Sequence, residues 1–206
     1  MDGYIVDILR GDLIIEVQTA NFSSIARKIR RLVARHRVLL VYPIPRDLWI
    51  VKMPQRTCDG VKRRKSPKHL DVAEVFGELV SFPDLIAHQN FQLDVVLTEE
   101  ETVCRFDARK RWRRRGWVTV ERRLLTIYET VSLRNSDDYM AMIPIGLPKE
   151  FLTSELADAL GHPRRLAQRM AYCLRKGGLI EKVASKGNSI VYAKVCHDRC
   201  ARYNSS

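Results

Sequence analysis

The stretch VDILRGDLIIEVQT, residues 6–19, sets two acids, Asp7 and Glu16, in an apolar run interrupted by Gly11-Asp12. Gly at the first central position is what a type II′ hairpin turn requires. With Arg10 and Leu13 flanking that turn, counting outward pairs Leu9 with Ile14, Ile8 with Ile15 and Asp7 with Glu16. Side chains directly opposed on an antiparallel pair share a face, with Cβ atoms about 4.5–5.5 Å apart, and like charges there repel. Something must offset that repulsion, and a divalent cation would. Alternation puts Gln18 on the face of Glu16, paired with Ile5, and leaves Val6, Ile8, Leu13, Ile15 and Val17 as an apolar face expected to pack on a core. The plain alternative is a half-exposed hairpin whose acids meet water.

The next segments bear on that choice. NFSSIARKIRRLVARH (21–36) has the spacing of a helix, with Asn21 or Ser23 as cap and Ile25, Ile29, Leu32 and Val33 as its apolar stripe. RVLLVYP (37–43) is a near-continuous apolar run of the kind found in strands buried on both faces. A helix between two strands predicts a crossover and a parallel pair. LWIVK (48–52) predicts a further strand.

Acid on one strand, acid-x-x on the next, then helix and buried strand: in this order residues 2–52 resemble the PD-(D/E)xK nuclease superfamily, the fold of many restriction enzymes, junction resolvases and repair nucleases. The matching positions are Asp7 and Glu16-Val17-Gln18. The resemblance implies an α/β (α+β), mixed-sheet restriction-endonuclease-like core. It also implies Mg²⁺, with Mn²⁺ as a substitute, held by Asp7, Glu16 and the Val17 carbonyl. Glutamine stands where the family usually carries lysine, as in some restriction enzymes of the superfamily. Other members carry the lysine on the following helix, and Lys28 fits that place: it falls within the apolar stripe of the helix, while Arg27, Arg30 and Arg31 spread to its flanks. Gln18 or Lys28 is thus expected to orient the attacking water or contact the phosphate. Snorkelling at the stripe's edge is the plain reading of Lys28, and Lys52 is a further candidate at a strand end. The family core opens with a helix before the first acid. Here Met1 stands just ahead of the strand, so that helix is expected to be absent or to come from another segment.

Composition points the same way. A net charge of +12 and a pI near 9.8 favour a polyanionic partner. Five scattered cysteines have no framework spacing and suggest a reducing compartment. No apolar run reaches membrane-spanning length and no signal-peptide pattern opens the chain. A soluble, cytoplasmic protein is expected.

In the middle, residues 54–69 are expected to form a polar, basic linker or loop. LDVAEVFGELVSFPDLIAH (70–88) predicts a helix burying Val72, Val75, Phe76, Leu79 and Val80, with a break near Pro83. FQLDVVLTEEETVCRF (91–106) predicts strands centred on Val95, Val96 and Leu97. RKRWRRRGW (109–117) is the densest charge in the chain. Its Arg113, Arg114 and Arg115 are candidates for DNA phosphates, while Trp112 and Trp117 either stack on a base or pack inward. Periodicity leaves residues 118–133 open between strand and helix.

Residues 149–195 follow a first domain of 1–148 and precede a tail of 196–206. Thr153 caps a short helix with Leu156, Ala157 and Leu160. Gly161-His162-Pro163 turns the chain into a second helix, Arg164–Lys176, burying Ala167, Met170, Ala171 and Leu174. Gly177-Gly178 stops it, and two strands flank Ser185-Lys186-Gly187-Asn188. This order resembles a winged helix-turn-helix domain. The resemblance implies that Arg164, Arg165, Gln168 and Arg169 enter the major groove, with Lys186 on the backbone. Winged helices also mediate protein contacts. In the tail, Cys196, His197 and Cys200 lack the distant second pair of a structural zinc site.

Two functions emerge as expectations. One is a Mg²⁺-dependent DNA endonuclease acting in repair or restriction, with a homodimer suited to cutting both strands. The other is a non-catalytic DNA-binding regulator or architectural protein on a nuclease-like fold.

Overall fold

The computed structural model describes residues 3–55, 60–110 and 116–195. Its frame is a mixed six-stranded sheet. β1 (Ile8–Arg10) and β2 (Leu13–Val17) form the expected hairpin, in register Ile8↔Ile15, Leu9↔Ile14 and Arg10↔Leu13. Gly11 takes φ 61°, and Asp12 is not left-handed, as a II′ turn demands. α1 (Phe22–Val33) leads from β2 to β3 (Arg37–Lys52), which lies parallel to β2. β4 (Lys62–Lys65) adds to the free flank of β3 beyond the end of β2. β5 (Phe91–Phe106) runs parallel to β3 over nearly its whole length, and β6 (Trp117–Leu133) returns antiparallel to β5. Residues 118–133 are therefore strand, and RVLLVYP and LWIVK are two halves of one strand rather than two strands. Pro43 and Pro45 do not break it, because they fall between the last β2 pair at Val41 and the first β4 pair at Trp49, where no ladder partner needs their missing N–H.

Among the described residues the main hydrophobic core lies on one face. Val38, Leu40, Ile44, Phe91, Leu93, Val95 and Leu97 point into a core closed by α1, by the segment 72–87 and by the later helix 164–176. The opposite face carries Leu39, Val41, Pro43 and Val96, all half-buried, and no helix among the described residues packs on it. The expectation that 37–43 is buried on both faces is thus corrected. So is the face of the hairpin: Ile14 and Glu16 of β2 are buried, whereas Ile8 and Val17 are about half exposed, because α1 lies over the side bearing Glu16. Residues 72–87 form not one helix but a 3₁₀ turn (Val72–Val75), the short α2 (Phe76–Leu79) and a second 3₁₀ turn (Pro83–Ala87). Ala73, Val75, Phe76 and Leu79 are buried, and Val72 and Val80 only partly.

α3 (Ser136–Ala141), started by an Asn135–Asp138 capping box, leads to β7 (Glu150–Leu152). Then come α4 (Thr153–Leu160), α5 (Arg164–Lys176), β8 (Ile180–Lys186) and β9 (Ser189–Lys194), the strands forming a small sheet ordered β7-β9-β8. Thr153 is the first residue of α4 and buried rather than its cap. The N–H of Leu152 is instead taken by Glu155 Oε2 at 2.7 Å. α5 packs on the body so closely that a Cβ on Gly177 would stand 2.4 Å from the Ile86 side chain. His162 Nε2 meets Asp71 Oδ2 at 2.7 Å, tying the α4–α5 turn to the cap of the first 3₁₀ turn. One hydrophobic core runs through both parts.

Candidate active site

β1 begins only at Ile8 because a side chain takes over the ladder position before it. Val17 N–H, which points towards β1, donates to Asp7 Oδ2 at 2.9 Å. Asp7 N–H lies 3.4 Å from Glu16 Oε1. The two carboxylates are thus brought together by the hairpin, Asp7 exposed and Glu16 buried at 4% exposure. A carboxylate that deep requires a partner, and α1 provides one. Phe22, Ile29, Leu32 and Val33 anchor its inner stripe in the core, and Lys28, between them, reaches down so that Nζ sits 2.6 Å from Glu16 Oε2. The repulsion implicit in the sequence is therefore offset first from within the chain, by the Lys28 ammonium and the Val17 amide.

Of the candidates, Asp7, Glu16, Val17 and Lys28 meet at one place. Gln18 does not join them: its Nε2 donates back to the Ala20 carbonyl, closing the turn into α1. Lys52 lies far along β3 with its ammonium 4.4 Å over the Trp117 ring, which packs edge-on to Phe106. Arg113, Arg114, Arg115 and Trp112 lie outside the described residues, as do Cys196, His197 and Cys200. In α5, Arg164, Arg165 and Gln168 are exposed on one side and Lys186 is exposed at the β8–β9 turn. Arg164 reaches Ser189 Oγ at 3.4 Å, linking helix and hairpin. Arg169 is set apart: it is half-buried, with its guanidinium against Gly77 of α2.

Among the described residues no three or more His, Cys, Asp or Glu side chains are grouped as a metal cage would need. The donor set at Asp7 and Glu16 is instead two carboxylates beside the Val17 peptide. That fits a hard cation such as Mg²⁺, which keeps several waters and takes one or two protein carboxylates plus phosphate oxygens. It does not fit an ion requiring an all-protein shell.

Sequence reasoning missed a second buried carboxylate further along the sheet. Asp47, 8% exposed, accepts from Tyr128 Oη at 3.0 Å and faces Lys65 Nζ at 2.8 Å, His69 Nδ1 at 3.2 Å and Arg46 Nε at 3.8 Å. The hydrogen bond from Lys65, helped by that from Tyr128, holds its pKa below the ordinary carboxylate value against the opposing effect of burial. Nothing local in the sequence announces this group, since its partners come from β3, β4, the following loop and β6.

No described helix is long and apolar enough to cross a membrane. No solved structure matches the chain. A protein of Treponema pallidum (strain Nichols) described as uncharacterized is 30% identical over 196 residues, covering 93% of this chain and 76% of the relative. Residues 1–134, from the chain start through the end of β6, match the family described as Domain of unknown function (DUF8091), and the chain belongs to that family.

Proposed function

We propose that this protein is a Mg²⁺-dependent DNA endonuclease whose reaction centre is Asp7, Glu16 and Lys28, built on a PD-(D/E)xK-like core. The observation that carries the reading is the 2.6 Å contact of Lys28 with Glu16 next to Asp7: an ammonium, absent from the third position of the Glu16-Val17-Gln18 motif, arrives at the same carboxylate from the following helix. A strand hairpin, a helix and a parallel strand in that order add to it. Asp7 and Glu16 would hold the cation, with the Val17 carbonyl as a third oxygen. When bound, the cation would acidify a water and neutralise charge on the phosphoryl group. Lys28, beside Glu16, would donate to the attacking water or to a non-bridging phosphate oxygen. Residues 149–195 serve as a winged helix, with exposed Arg164, Arg165 and Gln168 leading α5 towards duplex DNA and Lys186 on the backbone. Arg113, Arg114 and Arg115 would add phosphate contacts through their charge.

One observation favours a second reading. Glu16 is already neutralised by Lys28 and Asp7 already holds an amide, so the group is stable without a metal, as a non-catalytic DNA-binding regulator would have it. A cleavage assay decides. Labelled duplex, single-stranded, mismatched and four-way-junction DNA are incubated with Mg²⁺, with Mn²⁺ and with EDTA. Metal-dependent cutting that falls by about a hundredfold or more in Asp7→Ala and Glu16→Ala, the scale of losing a charge-stabilising group, supports the nuclease. Binding without cutting on every substrate supports the regulator, and cutting untouched by both substitutions removes the site.

A further inference from the structure

Beyond Pro45 the sheet runs on as β4-β3-β5-β6, and cross-strand register sorts its charges by face. Residues directly opposed in adjacent strands lie on the same side. On the side of the helices, one row reads Lys65–Trp49–Glu101–Arg123 and the next Arg63–Val51–Val103–Glu121. Every cation there is matched. Arg63 Nε meets Glu101 at 2.9 Å and stacks on the Trp49 ring at 3.8 Å. Arg123 Nη2 meets Glu121 at 2.7 Å, and Lys65 meets Asp47 at 2.8 Å. On the uncovered side, the rows are Arg64–Ile50–Thr102–Arg122 and Lys62–Lys52–Cys104–Thr119. These rows hold four cations and no acid. Lys62, Arg64 and Arg122 are exposed, and among the described residues none of the four has a carboxylate partner.

We infer that this uncovered face is a binding surface for the phosphate backbone of duplex DNA, with Lys62 and Arg64 on one margin, Arg122 on the other and Lys52 between. Charge complementarity names the occupant. The acid in the neighbouring row on this side, Glu100, accepts from the Thr98 hydroxyl at 2.9 Å and pairs with none of the four cations. Basic residues gathered in this way repel one another, and a polyanion relieves that repulsion by displacing its own counterions. The block is three strand spacings wide, about 14 Å, so its margins can reach the phosphates on either side of a groove about 12 Å wide. A single strand would want open aromatic rings to stack on, but Phe106 and Trp117 on this side pack edge-on against each other, and Trp117 is covered by Lys52. The surface requires no metal and no cleavage, so it stands apart from the site at Asp7 and Glu16.

The test is binding of the full chain to a labelled duplex, measured by fluorescence anisotropy in EDTA across a salt series. Lys62→Gln, Arg64→Gln and Arg122→Gln are combined in one variant, and Lys65→Gln, Arg63→Gln and Arg123→Gln in a second with the same change of net charge. The first variant breaks no ion pair, so its melting curve should match wild type. Its plot of log affinity against log salt should become shallower by roughly 0.9 for each phosphate that is no longer neutralised. The paired-face variant should keep the wild-type slope, and if it does not fold, Arg63→Gln alone serves. Equal slopes in wild type and the first variant overturn the inference. So does a loss confined to single-stranded DNA, or a loss of binding to phosphatidylserine vesicles with duplex binding intact. Because EDTA silences any cleavage, failure here leaves the nuclease reading standing, and failure there leaves this one.

Discussion

Glu16 and Asp47 are two buried carboxylates on the same face of the same sheet, and their surroundings differ in kind. Asp47 is saturated: a tyrosine hydroxyl, an ammonium, an imidazole and a guanidinium converge on it from four segments. Glu16 has one ammonium, one long contact to an amide, and an exposed acid beside it. A carboxylate with all its lone pairs engaged can only hold the fold together, here by tying β3 to β4 and β6. A carboxylate with a single counter-charge, next to a second acid and at the end of a short strand, keeps capacity for a ligand. Burial alone therefore does not mark an acid with capacity for a ligand; the number and origin of its partners does.

The largest effect that would sharpen this contrast comes from Lys28→Met. Removing one partner of a buried pair strands the other charge, at a cost of about 3–5 kcal/mol, and the low exposure of Glu16 puts it in that class. The expected result is a clear fall in Tm without metal and, if the proposed nuclease reading holds, loss of cleavage. Mg²⁺ should then raise the Tm of Lys28→Met more than that of wild type, because a cation that binds only the folded state stabilises it and would replace the missing ammonium. A metal titration by differential scanning calorimetry reads this directly. An unchanged Tm in the variant, with and without Mg²⁺, would mean that Glu16 is solvated and the contrast with Asp47 is false.

Asp47 should behave the other way. Its folded-state pKa lies below the ordinary 3.8, so its contribution is fully present above that value and is lost as pH falls through the lower folded pKa. Urea unfolding of wild type should show a stability decline below about pH 4. In Asp47→Asn that part of the decline disappears and the midpoint at neutral pH drops with an unchanged slope, while cleavage per folded molecule stays near wild type. Activity loss matching that of Asp7→Ala would erase the distinction between the two acids.

The local features were legible. Gly11-Asp12 set the hairpin register, the 25-29-32-33 stripe set α1 and with it the direction of Lys28, and the glycine and proline positions after 160 set the two last helices. The face of β2 was not. With apolar residues at 8, 9, 13, 14, 15 and 17, both sides of the hairpin look like core, and only the placement of α1 decides for Ile14 and Glu16. The length of β3 was hidden by two prolines whose harmlessness depends on where β2 stops and β4 starts. The segment 72–87 has helical spacing, but Gly77, Ser81 and Pro83 interrupt it before any turn can propagate. The Asp47 group and the two charged faces depend on β4 pairing with β3 and on three bulges that shift the phase of β6 against β5, neither of which a single strand's sequence reveals.

A third carboxylate, Glu78, tests the remaining role an acid can play beside this sheet. Asn21 precedes α1 in a left-handed conformation and its side chain accepts from Ser23 Oγ rather than from a helix amide. The first turn of α1 contains no acid, and Phe22 N–H donates instead to Glu78 Oε2, 2.8 Å away in α2. A negative group there both caps the helix and opposes its positive end, and it seats Phe22 against Phe82 and Tyr42. Glu78→Gln keeps an acceptor and loses the charge, so it should cost about 0.3–1 kcal/mol; Glu78→Ala loses both and should cost about 1–2 kcal/mol. Because α1 carries Lys28, either change should lower the cleavage rate at saturating DNA by less than tenfold, read in the same assay as Asp7→Ala. A larger loss from Glu78→Gln would place Glu78 in the reaction centre, and the origin of a carboxylate's partners would no longer separate anchoring acids from reacting ones.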